Sequence, residues 1–501
     1  TLSEGLKTIG ESAFSQCKSL ESATIPTSVK TWGSSAFLLS GLKNITLSEG
    51  LKTIGESAFS QCEGLENVTI PTSVETLGSY AFYFSGLKTV TLSEGLKTID
   101  KYAFSHCESL ESITIPTSVE TWGRLAFSYS GLKNITLSEG LKTIGESAFS
   151  QCKGLESVTI PASVETLGSD AFSYSGLKTV TLSEGLKTIG ESAFYQCESL
   201  ESVTIPASVE TWGRGAFSSS GLKTVTLSEG LKTIGESAFY QCEGLASVTI
   251  PTSVETLGSY AFSLSGLKTV ILSEGLNTIG GYAFSRCKSL ESVTIPASVK
   301  TLGNSAFSYS GLKMVTLSEG LNTIGEYAFS KCKSLERVTI PASVKTWGSS
   351  AFLLSGLKKI TLSEGLKTIG ESAFYQCEGL ESVTIPTSVE TLGSYAFYSS
   401  GLKTVTLSEG LKRIDNQAFS GCPLEKVALS GDNAINIGYS TFNDTPDTKS
   451  LFLYGSTMNS EEAIKNCKAW IPTTWSKIYY SYKGSGTDKL EPDSYNSSQQ
   501  Q

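Results

Sequence analysis

Cysteine is the residue in this sequence with the widest range of possible chemistry, because a thiolate can attack a substrate, bind a metal ion or form a disulfide. A cysteine recurs every 45 residues, at Cys17, Cys62, Cys107, Cys152, Cys197, Cys242, Cys287, Cys332, Cys377 and Cys422. A cysteine nucleophile needs a positioned base, and a zinc site needs several thiols or imidazoles around one ion. The chemistry open to these thiols therefore depends on how far apart the repeats hold them.

The other groups suited to acid–base chemistry are a single histidine and many carboxylates. His106 occupies a repeat position that holds Gln at Gln16 and Gln61, so we interpret it as an exposed, replaceable side chain. A lone histidine at a replaceable position argues against a Ser-His hydrolase triad, and without a second histidine there is no histidine-rich zinc site. Glutamates such as Glu4 and Glu11 recur in repeat after repeat, whereas a glycosidase pair needs one asymmetric cleft. We therefore expect no enzymatic activity, no cofactor and no metal site.

The chain that must position these residues is a tandem repeat. The pentapeptide TLSEG or ILSEG begins at Thr1, Thr46, Thr91, Thr136, Thr181, Thr226, Ile271, Thr316, Thr361 and Thr406. Each unit is itself double, because residues 2–10 align with residues 25–33, which gives half-units of 23 and 22 residues. A period of this size is typical of a solenoid, in which one unit cannot bury its own apolar face and must stack on its neighbours.

Each half-unit contains the pattern of a short strand with one buried face. Ala23 and Ile25 alternate with Ser22 and Thr24, so the apolar side chains are predicted to point inward and the polar ones outward. Stacked strands would form one long parallel β-sheet. The return leg, residues 9–17, is predicted to form a turn or two of α-helix or 3-10 helix, and Phe14 with its equivalents should form a buried aromatic column.

Stacking also settles the expected state of the cysteines. Stacked half-units, which we call rungs, lie ~4.8 Å apart in a parallel sheet. Because only every second rung carries a Cys, the Cα atoms of successive cysteines are about 10 Å apart. A disulfide tolerates at most ~7 Å. We expect these thiols to be reduced, buried and packed as small apolar groups, too far apart to share a metal ion.

The repeat matches a known pattern. It reads L-x-x-[VI]-T-[IL], then P-x-S-V-x-x-[LW]-G-x-x-A-F, with L-K-x-I-G-x-x-A-F-x-x-C in the alternate rung, over roughly residues 1–427. It resembles the BspA-like leucine-rich repeats of bacterial and protist surface proteins. Ser28 and Gly50 stand where many leucine-rich repeats carry Asn, so we expect Ser or backbone groups to replace an asparagine ladder.

The resemblance implies a leucine-rich repeat solenoid of the α/β horseshoe or arc type. The decay of the repeat pattern after Cys422 predicts a small irregular C-terminal cap. The resemblance also implies a non-enzymatic cell-surface or secreted adhesin or receptor that binds host proteins, extracellular matrix or other cells. Two alternatives remain open: a passive rigid stalk that presents another domain, and a glycan or polymer binder along the strand face.

The outward strand positions are the candidate ligand contacts. They are Ser22, Thr24, Asn44, Thr46, Ser48, Asn67, Thr69, Thr89 and Thr91. Identical polar groups every ~4.8 Å would suit an extended or repetitive ligand bound through many weak contacts. A structural explanation is equally open, because Thr is a good strand former on a solvated face. Variable return-leg residues, some of them aromatic, offer a second possible partner-binding strip.

The predicted organisation has three parts. Residues 1–428 form the solenoid, residues 429–483 a degenerate last rung and cap, and residues 484–501 a flexible tail or linker. Within the cap, we predict a rung at residues 435–442, a strand at residues 450–454, a short helix at residues 460–470 and an edge strand at residues 477–483.

Charge and hydropathy limit the partners. With 39 Lys and Arg against 48 Asp and Glu, the net charge of −9 argues against nucleic acid and anionic membranes. No apolar run approaches the ~18 residues that cross a bilayer, so we expect no membrane insertion. The sequence begins within a repeat, which indicates an excised fragment or mature product. Its uncapped N-terminal rung is expected to permit end-to-end self-association.

Overall fold

The computed structural model describes residues 2–430, 435–443, 450–454 and 478–479. All regular secondary structure within these ranges is β-strand, and no helix is present there. The chain divides into two compact units, Thr1–Val254 and Glu255–Gln501. Within each unit a rung contributes one strand of two to five residues to a long-strand ladder and one strand of two residues to a short-strand ladder.

Both ladders run through the first unit. Its long-strand ladder comprises Ser22–Thr24, Asn44–Thr46, Asn67–Thr69, Thr89–Thr91, Ser112–Thr114, Asn134–Thr136, Ser157–Ile160, Thr179–Leu182, Ser202–Ile205, Thr224–Leu227 and Ser247–Thr249. Its short-strand ladder comprises Thr8–Ile9, Thr31–Trp32, Thr53–Ile54, Thr76–Leu77, Thr98–Ile99, Thr121–Trp122, Thr143–Ile144, Thr166–Leu167, Thr188–Ile189, Thr211–Trp212 and Thr233–Ile234.

The second unit repeats this arrangement. Its long-strand ladder comprises Thr269–Ile271, Ser292–Ile295, Met314–Leu317, Arg337–Ile340, Lys359–Leu362, Ser382–Thr384, Thr404–Leu407, Lys426–Ser430, Ser450–Tyr454 and Ile478–Tyr479. Its short-strand ladder comprises Thr256–Leu257, Thr278–Ile279, Thr301–Leu302, Thr323–Ile324, Thr346–Trp347, Thr368–Ile369, Thr391–Leu392, Arg413–Ile414 and Asn436–Ile437.

Both ladders are parallel and bring equivalent repeat positions into register. Thr24 pairs with Thr46 in the long-strand ladder, and Thr8 pairs with Thr31 in the short-strand ladder. The predicted parallel solenoid is therefore confirmed. The short-strand ladder was not predicted, because a two-residue strand is too short to show a period of two in the sequence.

The return legs are not helical, and the prediction of α- or 3-10 helix there is wrong. Alternate backbone N–H groups bond to the next rung, as Ser12 N does to Ser34 O at 2.9 Å and Phe14 N to Ala36 O at 2.7 Å. The N–H groups between them close local turns. A helix would use its N–H groups internally and leave none for stacking. Left-handed backbone at Ser12, with φ of 54°, further interrupts any helix.

The core of each unit is a stack of identical apolar layers. Phe37, Phe59 and Phe82 are fully buried, and their neighbouring ring centroids lie 5.6 and 5.2 Å apart in stacked geometry. The predicted aromatic column is thus confirmed. Phe14, in the first described rung, is only half-buried. Burial of each layer by its neighbours supplies the apolar contact that a single rung lacks.

Three of the C-terminal predictions are confirmed where the structure describes the residues. Asn436–Ile437 continues the short-strand ladder beside Arg413–Ile414, and Ser450–Tyr454 pairs in parallel with Lys426–Ser430. Ile478–Tyr479 then pairs in parallel with Ser450–Tyr454, at the position predicted for an edge strand. The predicted helix at residues 460–470 and tail at residues 484–501 lie outside the described residues.

Candidate functional site

The exposed face of the long-strand ladder carries two rows of polar side chains. We call the row through Ser22, Asn44, Asn67 and Thr89, with their repeat equivalents, the outer row. The row through Thr24, Thr46, Thr69 and Thr91, with their equivalents, is the second row. All eight side chains are exposed, whereas the residue between the two rows is buried in most rungs, as at Val68 and Val90. The alternation arises because successive side chains of a strand point to opposite faces.

Register aligns each row from rung to rung. Asn44 pairs with Ser22 on one side and with Asn67 on the other. Thr89 Oγ1 donates a hydrogen bond to Asn67 Oδ1 at 2.5 Å, so neighbouring polar groups also contact each other along the row. The structure thus brings eight of the nine predicted candidate residues onto one continuous surface.

Ser48 is the ninth candidate, and it lies elsewhere. It follows the end of strand Asn44–Thr46 and is half-buried. The hydroxyl groups at the equivalent positions Ser93 and Ser138 donate to the backbone carbonyls of Ile70 and Ile115, each at 2.6 Å. This serine position therefore serves the turn between the two ladders and is not part of either row.

A column of ion pairs borders the outer row. The repeat position just before a long strand alternates between Glu and Lys in every rung from residue 21 to residue 403 except at Ala246. Partners in adjacent rungs lie 2.5 to 2.9 Å apart. The pairs are Lys43–Glu21, Lys88–Glu66, Lys133–Glu111, Lys178–Glu156, Lys223–Glu201, Lys313–Glu291, Lys358–Glu336 and Lys403–Glu381. The hydrogen bond from Lys43 lowers the pKa of Glu21. These exposed pairs contribute little stability, but they leave that border close to neutral.

In the loop after the long strand, Ser takes the place of the asparagine ladder, as predicted. Gly50 N donates to Ser73 Oγ at 2.9 Å, and Ser73 Oγ donates to Leu51 O at 2.8 Å. The Glu49 carboxylate accepts hydrogen bonds from the backbone N–H groups of Thr72 and Ser73, at 3.1 and 3.0 Å. The Glu of the SEG motif therefore caps the next rung, a role that sequence reasoning missed.

The cysteines are free and, apart from Cys17 in the first rung, buried in every described rung that carries one. Cys62 Sγ donates to Phe37 O at 3.0 Å and lies 3.3 Å from Ser40 Oγ. Burial raises the pKa of the Cys107 thiol to about 12. Such thiols are poor nucleophiles at neutral pH because the thiolate is the reactive form. The prediction of free, buried thiols is confirmed from Cys62 to Cys422 and is wrong for Cys17, which is exposed.

His106 is half-buried, so its expected exposure is wrong. Its ring stacks between Phe84 and Tyr129, with centroid distances of 4.2 and 4.5 Å. Desolvation lowers its pKa, and Glu108 opposes that shift. The cause lies in the adjacent rungs, which place aromatic residues at the same return-leg position.

Within the part of the chain that the structure describes, no group of three or more His, Cys, Asp or Glu residues is placed to hold a metal ion. The same residues include no helix with the length and hydropathy of a membrane span. The aromatic return-leg residues stack mainly on each other, as Tyr80 does on Tyr102 at 4.7 Å.

The repeats match a known family model, and the chain is similar to several solved structures. The family model for a BspA type Leucine rich repeat region (6 copies) matches residues 1–111, 75–199, 167–291, 256–381 and 367–480. The chain is similar to a solved leucine-rich repeat protein from Bacteroides ovatus, with 23% identity, 92% of each chain covered and a TM-score of 0.47. One from Eubacterium ventriosum shows 26% identity over 54% of this chain and 83% of its own, with a TM-score of 0.38.

A leucine rich cell surface protein from Faecalibacterium prausnitzii shows 22% identity over 86% of each chain, with a TM-score of 0.25. No curated protein matches the chain. The matches to the family model run through both compact units.

Proposed function

Because the chain belongs to the BspA type leucine rich repeat family, we propose that it is a cell-surface or secreted adhesin or receptor and not an enzyme. The family consists typically of surface proteins. The proposed ligands are host proteins, extracellular matrix proteins or molecules on the surface of partner cells. The proposed contact surface is formed by the outer and second rows of the long-strand ladder.

The observation that carries this proposal is the register of the two rows. Exposed hydroxyl and amide groups at Ser22, Asn44 and Asn67 follow one another in adjacent strands. Equivalent groups therefore recur about every 4.8 Å. Each contact contributes weakly, and a partner that contacts several rungs at once gains affinity through multivalency.

The distribution of reactive groups favours binding over catalysis. The thiols from Cys62 to Cys422 are buried, and His106 lies between two aromatic rings. The glutamates beside the rows are engaged by lysines or by backbone N–H groups, as Glu21 and Glu49 are. A general acid–base pair requires titratable groups in contrasting environments around one substrate. The same environments recur here from rung to rung.

The test is binding of the full chain to a panel of immobilised matrix proteins and glycans. A row variant, Asn67→Lys/Thr89→Lys/Ser112→Lys, places bulky charges on the outer row, where Lys359 shows that lysine is tolerated. A control variant, Gln61→Lys/Gln151→Lys/Gln196→Lys, makes the same charge change on the return legs, where Lys331 is the precedent.

The proposal predicts saturable binding to at least one protein, which the row variant weakens and the control variant retains. Equal binding by both variants would place the contact surface elsewhere. Binding to glycans alone would support the polymer-binding alternative, and no binding to any member of the panel would support the stalk.

A further inference from the structure

One stretch of the outer row departs from the rest in composition. From residue 22 to residue 404 the row holds Ser, Thr or Asn in every long strand except three consecutive ones of the second unit. Those three strands present Met314, Arg337 and Lys359, which we call the Met-Arg-Lys patch. All three side chains are exposed, Met314 to 59%.

The two cations of the patch face each other across adjacent strands. Met314 pairs with Arg337, and Arg337 pairs with Lys359, in parallel register. The Cα atoms of such partners lie about 4.8 Å apart, and like charges placed opposite each other in a sheet are destabilising. The other rungs between residues 22 and 404 carry neutral residues at this position, so the fold itself does not require the charges. A ligand with negative charge would remove the repulsion.

The carboxylates nearby are already engaged. Glu291 is bonded to Lys313 at 2.8 Å, and Glu336 to Lys358 at 2.5 Å. The pKa of Glu336 is lowered chiefly by its hydrogen bond from Lys358, and Arg337 contributes least to that shift. Neither Arg337 nor Lys359 forms an ion pair within the described part of the chain. The patch therefore has a local positive surplus on a chain whose net charge is −9.

We propose that the Met-Arg-Lys patch binds an acidic segment of a partner protein. Carboxylates of that segment would pair with Arg337 and Lys359, and an apolar side chain would cover Met314. The exposed methionine favours a polypeptide over an anionic glycan, because a hydrated polyanion would use the cations and leave Met314 uncovered. The inference rests on the proposed function, since it assigns partner chemistry to one part of the same face.

The repeat supplies a matched position for the test. In the first unit, Asn134, Ser157 and Thr179 are the equivalents of Met314, Arg337 and Lys359, and they stand in the same register. The loss variant of the full chain is Arg337→Ser/Lys359→Thr. The gain variant is Asn134→Met/Ser157→Arg/Thr179→Lys.

The charge control for the loss variant is Lys7→Ser/Lys18→Thr, which removes two exposed lysines from the first unit. The loss and gain variants should keep the wild-type circular dichroism spectrum, because each new residue occurs naturally at an equivalent repeat position. The charge control should keep it because Lys7 and Lys18 are exposed.

The probe is a short fluorescent peptide of Glu, Leu and Ser, compared with the same peptide carrying Gln in place of Glu and with a sulfated glycan. Fluorescence anisotropy should show one peptide site on the wild-type chain and two on the gain variant. The loss variant should weaken binding about twofold to thirtyfold, the scale expected for two exposed charge pairs. The charge control and the Gln peptide set the non-specific background.

Equal affinity of the wild-type chain and the loss variant for the acidic peptide would overturn the inference, as would failure of the wild-type chain to bind it. Tighter binding of the sulfated glycan through the same two cations would also overturn it, in favour of a glycan site. None of these results decides the proposed function, which stands or falls on the panel of matrix proteins.

Discussion

The backbone N–H of Gly50 donates a hydrogen bond to Ser73 Oγ across one rung, at 2.9 Å. The same hydroxyl donates back to Leu51 O at 2.8 Å, so one small side chain satisfies a donor and an acceptor of the preceding loop. Gly50 itself has a φ of 107°, a conformation that suits glycine. The Ser–Gly pair thus holds successive loops in register where a longer amide side chain does so in other leucine-rich repeats.

Substitution of Ser73 by Ala should lower the free energy of unfolding by about 1 kcal/mol, because Gly50 N and Leu51 O lose a partner in a half-buried loop. Urea denaturation followed by circular dichroism measures the change. Ser22→Ala on the exposed outer row is the control and should stay within about 0.5 kcal/mol of wild type. Equal effects of the two substitutions would show that the Ser73 bridge does not stabilise the loop.

Gly86 is predicted to tolerate no side chain, because the backbone of the adjacent rung lies against it. A Cβ added there would lie 1.9 Å from Glu63 O, so Gly86→Ala should destabilise the chain by about 1–3 kcal/mol or more as the rungs separate. Gly281→Ala is the matched control, since its nearest atom would be Asn304 O at 3.3 Å and equivalent rungs carry larger residues such as Glu236. Thermal unfolding of both variants tests the contrast, and equal melting temperatures would contradict it.

Thiol labelling should distinguish the first rung from the others. At mildly alkaline pH, Cys17 is expected to react with iodoacetamide in the native protein, because it is exposed. Cys107 and Cys152, whose pKa values burial raises to about 12 and about 11, should react only after denaturation. Mass spectrometry of a Cys467→Ser variant, which removes the eleventh cysteine, locates the labels. Rapid native labelling of Cys107 would contradict the buried position of the thiol column.

Stability should depend on the protonation of His106. Desolvation between Phe84 and Tyr129 lowers its pKa below 6.5, so the folded state disfavours the charged imidazolium. The stabilising contribution of the neutral ring is complete above pH 6.5 and is lost as the pH falls from there through the lower folded-state pKa. His106→Gln, the residue of most equivalent rungs, removes this dependence.

Urea midpoints of wild type and His106→Gln, measured from pH 7.5 down to about 5, provide the test. The difference between the two proteins should move in favour of the Gln variant as the pH falls. A difference that stays constant over this interval would show that His106 titrates alike in the folded and unfolded states.

The sequence predicted the rows well because the strand period is two residues. Alternation of Ala23 and Ile25 with Ser22 and Thr24 correctly assigned inward and outward positions. It failed at Ser48, since alternation does not show that the strand ends at Thr46. Element ends depend on hydrogen bonds that a single-strand pattern does not contain.

Contacts between rungs were harder to predict from the sequence than the alternation within a strand. Glu21 and Lys43 are 22 residues apart, and their ion pair becomes evident only once the register is known. The return leg was misassigned for the same reason, because Ser12 N and Phe14 N bond to a neighbouring rung and not to their own segment. Local helix propensity does not take such long-range partners into account.

The most direct measurement for the central claim, a repetitive binding face, is affinity as a function of the number of repeats. Variants that lack residues 91–135, or residues 91–180, remove whole 45-residue units and preserve the register of the remaining repeats. Surface plasmon resonance against the protein ligand found in the panel should show affinity that falls with each unit removed. Identical affinity for all lengths would contradict a multivalent face and would indicate that one local site carries the binding.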